Sequence, residues 1–507
     1  MGQFLRQEAL LRLINVKRGW LRALHTVSTA QERTAMTHHT THHASGHTTE
    51  LSPELLTRFD VSGPRYTSYP TADRFVEAFG QSDYLNTLSQ RRIGAAGSTQ
   101  PLSVYVHIPF CESLCYYCAC NKIITKHHDR AAHYLRYLRR EIELHVERLG
   151  AGQQLTQLHL GGGTPTFFSD AELGELMEVL RRSFNFAERG EYSIEVDPRT
   201  VDAKRLAAIS ALGFNRLSFG VQDFDADVQK AVHRIQPASQ VFDLVAAARE
   251  LKFDSVNVDL IYGLPRQTPD SFDRTLEQVV RLRPDRIALY AYAHLPERFK
   301  PQRRIATVDL PAAPDKVTML ARSLSTLQKA GYVYVGMDHF ALPEDSLAVA
   351  KRQGRLHRNF QGYSTQPDCD LIGLGVSAIG RVGATYSQNA KTLDEYCDSL
   401  DQQRLPVVRG LALTRDDLVR RAVIMALMCQ GHVSFESIEL AWLVDFRRYF
   451  ASEMQVLEGL IEDGLVVLDD TGIQVTADGW FFVRAVAMVF DRYLQADRNR
   501  ARFSRII

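Results

Sequence analysis

The sequence predicts an α/β fold, a TIM-like barrel of six βα units, complete or partial, followed by a mostly helical domain. Six short apolar runs rich in β-branched residues are each followed by a stretch with helical spacing, such as Ala131–Leu149. Strands that alternate with helices indicate parallel βαβ units. Polar or glycine-rich residues follow nearly every run, where the active loops of such barrels lie. The six runs are Ser103–Ile108, Gln157–Leu160, Tyr192–Val196, Arg216–Phe219, Ser255–Ile261 and Arg286–Tyr292.

The overall composition is that of an ordinary globular protein. The chain has 507 residues, of which 45% are hydrophobic and 23% charged, and its formal net charge is +1. This balance argues against a nucleic-acid partner bound by bulk electrostatics. No apolar run reaches the roughly 18 residues that a membrane span needs, so no membrane partner is expected. Seven cysteines without an evident secretory signal indicate a reducing cytoplasm, and a monomer is the default expectation.

The N-terminal 50 residues are predicted to be a disordered extension. Residues 1–35 are basic and contain few acidic residues, which resembles an organellar transit peptide. An extension upstream of a start near Met36 explains the same composition, and we favour it. A histidine- and threonine-rich tract follows, without an apolar pattern that could pack. Neither segment is expected to take part in the chemistry.

Four cysteines lie within ten residues, directly after the first predicted strand: Cys111, Cys115, Cys118 and Cys120. Thiolates ligate iron–sulfur clusters, and a four-iron cluster normally takes four of them. Three closely spaced cysteines leave one iron open to the amine and carboxylate of S-adenosylmethionine. The stretch Cys111–Cys118 therefore resembles the signature of the radical S-adenosylmethionine (radical SAM) enzymes.

Two other roles for these cysteines fit the sequence less well. Structural zinc takes four ligands, usually from two separated pairs, and no second C-x-x-C follows. A disulfide framework is typical of short secreted chains, whereas this chain is long. The cluster interpretation explains the spacing better than either alternative.

The ends of the later predicted strands carry further polar groups. Gly161–Thr166 begins with three glycines, which allow a ligand to approach the backbone closely. Alternation places Glu195 and Asp197 on one face of their strand, where carboxylates can accept ribose hydroxyl groups. Taken singly, Arg234 could be a surface cation and Asp259 a helix cap. Because polar residues recur at five strand ends, we expect one shared site.

The resemblance becomes specific over residues 51–507, where the order of motifs is similar to that of the oxygen-independent coproporphyrinogen III oxidases. This family implies a partial barrel of the radical SAM type, a 4Fe-4S cluster and two molecules of S-adenosylmethionine. The segments that carry the resemblance are Pro64–Pro70, Val104–Lys122, Gly161–Thr166, Ser193–Arg199, Asp259–Pro265, Tyr292–Pro296, Asn359–Tyr363 and Phe503–Ile507.

The resemblance implies a role for individual residues. The cluster ligands would be Cys111, Cys115 and Cys118, whereas Cys120 matches an additional cysteine that is not a ligand. The first S-adenosylmethionine would be lined by Tyr105, Gly162, Glu195 and Ile379. The second would be lined by Tyr117, Gly163, Thr164, Gln222, Arg234, Asp259 and Ala293. The residues expected to act in catalysis are Tyr105, His107, Cys120 and Glu195.

The implied reaction converts two propionates of coproporphyrinogen III into vinyl groups, giving protoporphyrinogen IX. It requires an electron donor for the cluster. Arginines are expected to pair with the propionates, with Arg65 as the first hypothesis and Arg505 as the weaker one.

Three other functions remain as alternatives. A related haem chaperone typically has an acidic–aromatic pair where this chain has Ala119-Cys120, and it usually lacks the segment Gly63–Tyr66. The others are a haem-degrading methyltransferase of the same superfamily and a structural zinc protein.

The C-terminal region is predicted to form a separate unit. We expect a catalytic domain over residues 51–412 and a winged-helix-like domain over 413–507. Within the catalytic domain, residues 357–363 and 373–379 are expected to be loops that close the site. Thr414 and Asp417 resemble a helix start, and Leu465–Leu468 with Ile473–Thr476 reads as a hairpin. Nothing basic crowds this hairpin, so a lid or packing role is expected instead of DNA binding.

Overall fold

The computed structural model describes residues 53–59, 61–94, 100–366 and 369–496. The predicted disordered extension at 1–50 lies outside these residues, as does the segment that contains Arg505. Among the residues described, no helix is long and apolar enough to cross a membrane.

A twelve-stranded sheet forms the frame of the molecule, with the order β16-β15-β14-β13-β1-β4-β5-β6-β7-β8-β10-β9. The seven strands from β13 to β8 are parallel to one another, and antiparallel strands flank them on both sides. The strands of this sheet are β1 Leu102–Ile108, β4 Gln153–Gly162, β5 Phe184–Val196, β6 Arg216–Gln222, β7 Ser255–Tyr262, β8 Arg286–Ala291, β9 Val333–Gly336, β10 His339–Ala341, β13 Asp370–Leu374, β14 Ile379–Val382, β15 Thr385–Asn389 and β16 Val407–Ala412.

Three smaller sheets accompany it. The short strands β2 and β3 pair beside the cysteines, β11 and β12 form a hairpin, and β17, β19 and β18 form a C-terminal sheet. Their bounds are β2 Phe110–Cys111, β3 Ile123–Ile124, β11 His357–Asn359, β12 Gly362–Ser364, β17 His432–Ser434, β18 Val466–Leu468 and β19 Gly472–Val475.

Helices cover the outer face of the parallel strands. The longest is amphipathic and buries Tyr134, Leu138 and Ile142 against the sheet. The helices are α1 Pro53–Arg58, α2 Gln81–Gly94, α3 Asp129–Leu149, α4 Asp170–Ser183, α5 Ala203–Ala211, α6 Ala226–Ala231, α7 Ala238–Glu250, α8 Pro269–Leu282, α9 Ala313–Lys329, α10 Ser346–Arg352, α11 Leu393–Asp401, α12 Arg415–Gln430, α13 Phe435–Trp442, α14 Phe446–Tyr449, α15 Ala451–Glu462, α16 Val483–Met488 and α17 Arg492–Ala496.

All six predicted strands are present and parallel, so the predicted partial barrel is confirmed. The structure adds β13, a seventh parallel strand that pairs with β1 from Leu102 opposite Asp370 to Val106 opposite Leu374. The expectation of a loop over residues 373–379 is wrong for three of them, because Gly373 and Leu374 belong to β13 and Ile379 begins β14. The run Asp370–Leu374 is short and contains a glycine, so its pattern alone does not indicate a strand.

The expectation of a loop over residues 357–363 is also wrong. His357–Asn359 and Gly362–Ser364 pair as an antiparallel hairpin. Each strand has only three residues, which is too short to show an alternating pattern in the sequence. This hairpin matters for the site because its turn places Phe360 and Gln361 against a cavity.

The C-terminal region contains the predicted helix start and hairpin. Thr414 and Asp417 form a reciprocal capping box at the beginning of α12. The predicted hairpin consists of β18 and β19, and β17 extends it to three strands. The segment after Gly63 packs on this region, because Arg484 donates to the carbonyl oxygens of Gly63 and Pro64. The domain division at residue 412 stays a prediction.

Candidate active site

The cysteine loop leaves the barrel at the end of β1. Cys111 closes the short strand β2, which pairs with β3 and so joins the two ends of the loop. Within the loop, the Cys118 amide donates to the Cys115 carbonyl over 3.3 Å. Lys122 Nζ donates to the Cys118 carbonyl over 3.0 Å. These bonds hold the loop in a tight coil, and all its cysteines are free thiols.

Each predicted cluster ligand has its own hydrogen-bond donor. Thr164 Oγ1 donates to Cys111 Sγ over 3.3 Å, and burial raises the pKa of this thiol to about 11. The pKa of Cys118 is lowered to about 6, chiefly by a hydrogen bond with the Cys120 thiol and then by Lys122, although burial opposes the shift. Donors aimed at sulfur stabilise a thiolate.

Two arginines meet at the third ligand. Arg199 Nη2 and Arg234 Nη1 each lie 3.5 Å from Cys115 Sγ. Both also bind Asp197 Oδ2, at 2.6 Å and 3.2 Å. Burial acts to raise the pKa of Asp197, but the two arginines outweigh it and the pKa falls below its usual value. The pair of cations is therefore held in place by one carboxylate.

The donor set fits an iron–sulfur cluster better than a single metal ion. Among the described residues, no group of three His, Cys, Asp or Glu side chains converges closely enough to hold one ion. A four-iron cluster takes each thiolate on a different iron, so its ligands surround a volume instead of a point. The three cysteines line one cavity of about 450 Å³. Their thiols are soft donors suited to iron.

Most of the predicted site residues line that cavity. It contains the cysteine loop, the glycine loop and the ends of β5, β6 and β7. The predicted residues at its wall are Cys111, Cys115, Tyr117, Cys118, Cys120, Gly162, Gly163, Thr164, Glu195, Gln222, Arg234 and Asp259.

A second cavity of about 370 Å³ adjoins the first and shares Glu195 and Tyr290 with it. Its wall includes Tyr105, His107 and Ile379, which the resemblance also assigns to the site. The predicted residue Ala293 lines neither cavity. Its carbonyl accepts a hydrogen bond from Gln302 Nε2, which also donates to the Tyr117 carbonyl. The structure thus brings all the residues predicted for the cluster, the S-adenosylmethionine sites and catalysis, except Ala293, to two neighbouring cavities.

The glycine loop packs closely against the end of β1 and the residue that follows it. Gly162 has φ +113°, and a Cβ there would lie 2.6 Å from the His107 ring. A Cβ on Gly163 would lie 2.7 Å from the Pro109 backbone. Any side chain at either residue would displace the strand that leads into the cysteine loop. The glycines therefore keep this loop against β1.

Glu195 accepts hydrogen bonds from the Gly162 amide at 3.1 Å and from His159 Nε2 at 3.2 Å. Burial acts to raise its pKa, but His159 and the Gly162 amide outweigh that and hold the pKa below its usual value. Its side chain remains 43% exposed, so it can still accept from a ligand. Sequence reasoning missed His159. The sequence feature that could have indicated His159 is its position as a polar residue within the apolar run Gln157–Leu160.

Tyr105 and His107 form a pair on β1. His107 Nδ1 lies 3.0 Å from the Tyr105 hydroxyl, and Nε2 lies 2.9 Å from the Asn121 carbonyl. Since a carbonyl only accepts, Nε2 carries the proton and Nδ1 accepts from the tyrosine. Burial is the main cause that lowers the His107 pKa. The imidazole is therefore neutral and ties the cysteine loop to the barrel strand.

Asp259 lies on β7, separated from the strand of Glu195 by β6. Ser218 Oγ donates to Asp259 Oδ2 at 3.1 Å, and Asn257 Nδ2 donates to Oδ1 at 2.8 Å. Burial first, and then the charge of Glu195, raises the Asp259 pKa to about 6. A carboxylate shifted in this way gains from any hydrogen-bond donor that a ligand supplies. Ser218 and Asn257 were not predicted.

Arg65, the first hypothesis for a propionate partner, already has a carboxylate partner in the protein. Its guanidinium forms a salt bridge with Asp338 and lies 4.9 Å from the centre of the Tyr290 ring. Tyr290 lines both cavities. The geometry therefore favours a role in holding Tyr290 over direct pairing with a ligand.

Two sequence profiles match the chain. That of the radical SAM superfamily covers residues 105–279, and that of the HemN C-terminal domain covers residues 413–482. The oxygen-independent coproporphyrinogen III oxidase of Pseudomonas aeruginosa is 53% identical over 456 residues, which are 90% of this chain and 98% of that protein. The enzyme of the same name from Escherichia coli K12 is 48% identical over 453 residues, which are 89% of this chain and 98% of that one.

A solved structure supports the same relationship. Coproporphyrinogen III oxidase (HemN) from Escherichia coli, a radical SAM enzyme, superimposes with a TM-score of 0.83 at 47% identity. The match covers 88% of this chain and 100% of that structure. Identity of this extent over nearly the whole length of each relative shows the family. The chain belongs to the oxygen-independent coproporphyrinogen III oxidases of the radical SAM superfamily.

Proposed function

We propose that the protein converts two propionate side chains of coproporphyrinogen III into vinyl groups without oxygen, giving protoporphyrinogen IX. One observation carries this assignment. A chain that matches the oxidases over 98% of their length gathers the cysteine loop, the glycine loop and the strand-end carboxylates at one cavity. Each propionate loses a hydrogen atom from its β-carbon. The resulting substrate radical then loses carbon dioxide and one electron, which passes to a one-electron acceptor.

The family implies a 4Fe-4S cluster and S-adenosylmethionine. When bound, they supply a carbon radical able to remove hydrogen from an unactivated carbon, which no acid–base side chain can do. We assign the cluster to Cys111, Cys115 and Cys118. Thr164 and the pair Arg199 and Arg234 provide the hydrogen bonds and positive charge that three thiolates require.

We assign the first S-adenosylmethionine to Tyr105, Gly162, Glu195 and Ile379. Glu195 faces both cavities and keeps a negative charge, so it suits hydroxyl or ammonium donors. Gly162 lies on the wall of the larger cavity, and the absence of a Cβ there makes room for the His107 ring behind it. Tyr105 and Ile379 lie on the wall of the smaller cavity.

A second molecule of S-adenosylmethionine would use the opposite wall of the larger cavity. Gln222 ends β6, Asp259 lies on the neighbouring strand β7, and Arg234 follows α6. They supply an amide, a carboxylate and a cation to the same wall. Tyr117, Gly163 and Thr164 border the same space. Ala293 reaches it only through Gln302, which binds the carbonyl oxygens of Tyr117 and Ala293.

His107 and Cys120 are assigned supporting roles in catalysis. Neutral His107 joins Tyr105 to the Asn121 carbonyl, which fixes the distance between the first cofactor site and the loop. Cys120 lowers the pKa of Cys118 through its hydrogen bond. The electron donor, the monomeric state and the cytoplasmic location remain predictions.

The test is a strictly anaerobic assay of the reconstituted enzyme with a chemical reductant, S-adenosylmethionine and coproporphyrinogen III. We expect loss of two carboxyl groups, seen by mass spectrometry, with 5′-deoxyadenosine formed alongside. 5′-Deoxyadenosine without decarboxylation would indicate a different substrate. Tight haem binding without cleavage of S-adenosylmethionine would indicate the chaperone instead. A Cys118→Ala variant serves as the control for cluster-dependent turnover.

A further inference from the structure

Three cations at the open end of the barrel have no carboxylate partner among the residues that the structure describes. Arg298 lies in the loop after β8, Lys391 follows β15, and Arg409 belongs to β16. Arg298 and Lys391 are exposed, and Arg409 is half-buried. The only acid beside Arg298 in the chain, Glu297, is exposed and forms no ion pair with it in this part of the structure.

Two of these cations are tied to the site by short chains of hydrogen bonds. The Lys391 carbonyl accepts from Asn121 Nδ2 at 3.0 Å, and the Asn121 carbonyl accepts from His107. Arg409 Nε donates to Gln388 Oε1 at 2.6 Å, and Gln388 Nε2 donates to the Ser377 carbonyl. Ser377 and His107 both line the smaller cavity. The cations thus stand at its rim.

The three cations are close enough to interact. The pKa of Lys391 is lowered, first by burial and then by the positive charges of Arg409 and Arg298. Other arginines near the site do not share this property, since Arg65 pairs with Asp338 and Arg234 with Asp197. A group of like charges without internal partners is stabilised by an anion that binds among them.

We propose that Arg298, Lys391 and Arg409 bind the carboxylates of the two propionates that the substrate retains. This site rests on the proposed function, whose substrate carries four propionates and loses two. A reacting side chain must enter the cavity, so the opposite side of the macrocycle stays at the rim. Guanidinium groups match carboxylates with two parallel hydrogen bonds. Binding at the rim then orients the reacting propionate.

The test compares the variants Arg298→Gln, Lys391→Gln and Arg409→Gln in the reconstituted enzyme. The first measurement is fluorescence binding of coproporphyrin III, the stable oxidised tetracarboxylate, alongside its tetramethyl ester. We expect each variant to bind the tetracarboxylate about three- to tenfold more weakly. Affinity for the ester should not change, because the ester carries no charge at its side chains. Lys300→Gln, an exposed cation of the same loop, is the matched control.

Kinetics provide the second measurement. KM for coproporphyrinogen III should rise with the dissociation constant while kcat stays near its wild-type value. Cleavage of S-adenosylmethionine should continue in every variant, which shows that the cofactor sites are intact. The Lys391 side chain is exposed and forms no hydrogen bond or ion pair with the residues that the structure describes, so its variant should fold even if Arg409→Gln does not.

Wild-type affinity for the tetracarboxylate in all three variants would overturn the proposal, and so would an equal loss for the ester. The two proposals fail in different ways. A wild-type enzyme that forms no decarboxylated product contradicts the proposed function. A wild-type enzyme that forms product, with variants that keep its KM, contradicts only the carboxylate site.

Discussion

Two glutamates show how the open end of the barrel, where the two cavities lie (the mouth), differs from the supporting helices and strands (the scaffold). Glu141 on α3 is fully buried and accepts from the Gly375 amide at 2.7 Å, Asn389 Nδ2 at 2.7 Å and the Tyr396 hydroxyl at 2.6 Å. Glu195 at the mouth accepts from one amide and one imidazole, and its side chain is 43% exposed. The scaffold carboxylate is saturated by the protein, whereas the site carboxylate keeps capacity for a ligand.

The pKa values of the two glutamates also differ, since one is raised and the other is lowered. Burial raises the pKa of Glu141 to about 7 in spite of its three donors. The pKa of Glu195 lies below its usual value because His159 and the Gly162 amide outweigh burial. The mouth therefore maintains a charge for a ligand, and the scaffold uses a carboxyl group to join a helix to a turn. Changes at the mouth should affect binding, and changes in the scaffold should affect stability.

The largest effect is expected at the cysteine loop. Cys118→Ala removes one of three thiolates, so we expect loss of cluster iron and complete loss of decarboxylation. Iron and sulfide analysis with the anaerobic assay measures both. Cys397→Ala, a half-buried cysteine on α11 in the scaffold region, is the control and should keep its iron. Full activity of Cys118→Ala would contradict the assignment of the ligands.

Glu195→Gln should reduce affinity for S-adenosylmethionine by about 10- to 100-fold, since a charged acceptor is replaced by a neutral one. The melting temperature should change little, because only two protein donors depend on this side chain. Equilibrium binding to the reconstituted enzyme tests the first expectation and thermal unfolding the second. A variant that is less stable but binds S-adenosylmethionine normally would show that Glu195 supports the fold and does not bind the ligand.

Glu141→Ala should show the opposite behaviour. It leaves the Gly375 amide, Asn389 and Tyr396 without their acceptor, so the free energy of unfolding should fall by about 3 kcal/mol. Chemical denaturation measures the loss. Glu143→Ala, on the exposed side of the same helix, is the control and should change stability by less than about 0.5 kcal/mol.

The stability contributed by Glu141 should also depend on pH. Its folded pKa of about 7 lies above the model-compound value of 4.5, so the folded state binds more protons between these values. The contribution is complete below about pH 4.5 and is lost as the pH rises to about 7, by about 3 kcal/mol. Glu141→Gln cannot ionise, and its unfolding free energy should lack this slope. Parallel pH profiles for the two proteins would contradict the assignment.

The smallest effect is expected from Thr164→Val. The substitution keeps the shape of the side chain and removes the hydroxyl that donates to Cys111 Sγ. A weak hydrogen bond to sulfur stabilises the reduced cluster, so the reduction potential should fall by about 20–40 mV. Anaerobic redox titration followed by electron paramagnetic resonance measures the shift. An unchanged potential would mean that the hydroxyl does not contact the cluster ligand.

Much of the frame could be predicted from the sequence because its pattern is local. The six apolar runs, the amphipathic α3 and the capping box at Thr414 each lie within one segment. The cysteine and glycine loops are also contiguous motifs. Their meeting at one cavity followed from the rule that the carboxyl ends of parallel strands share one edge.

The rest depends on contacts between distant segments, which no local pattern encodes. Arg65 meets Asp338 across 273 residues, and Glu141 meets Asn389 across 248. The sequence gives the residue types but not these pairings. His159 and Ser218 were missed because a polar residue in a strand can face either a cavity or solvent. The roles of the predicted site residues stay predictions until the variants above are measured.

The pairing of β1 with β13 has a consequence for synthesis of the chain. The strand that leads into the cysteine loop lies at residues 102–108, but one of its two neighbours spans residues 370–374. During translation β1 can pair only with β4 until the ribosome has released residues beyond 374. The turn at Gly375, which backs onto the His107 carbonyl, also arrives at that point. The strand that leads into the cysteine loop therefore gains its second neighbour only when about three quarters of the chain has emerged.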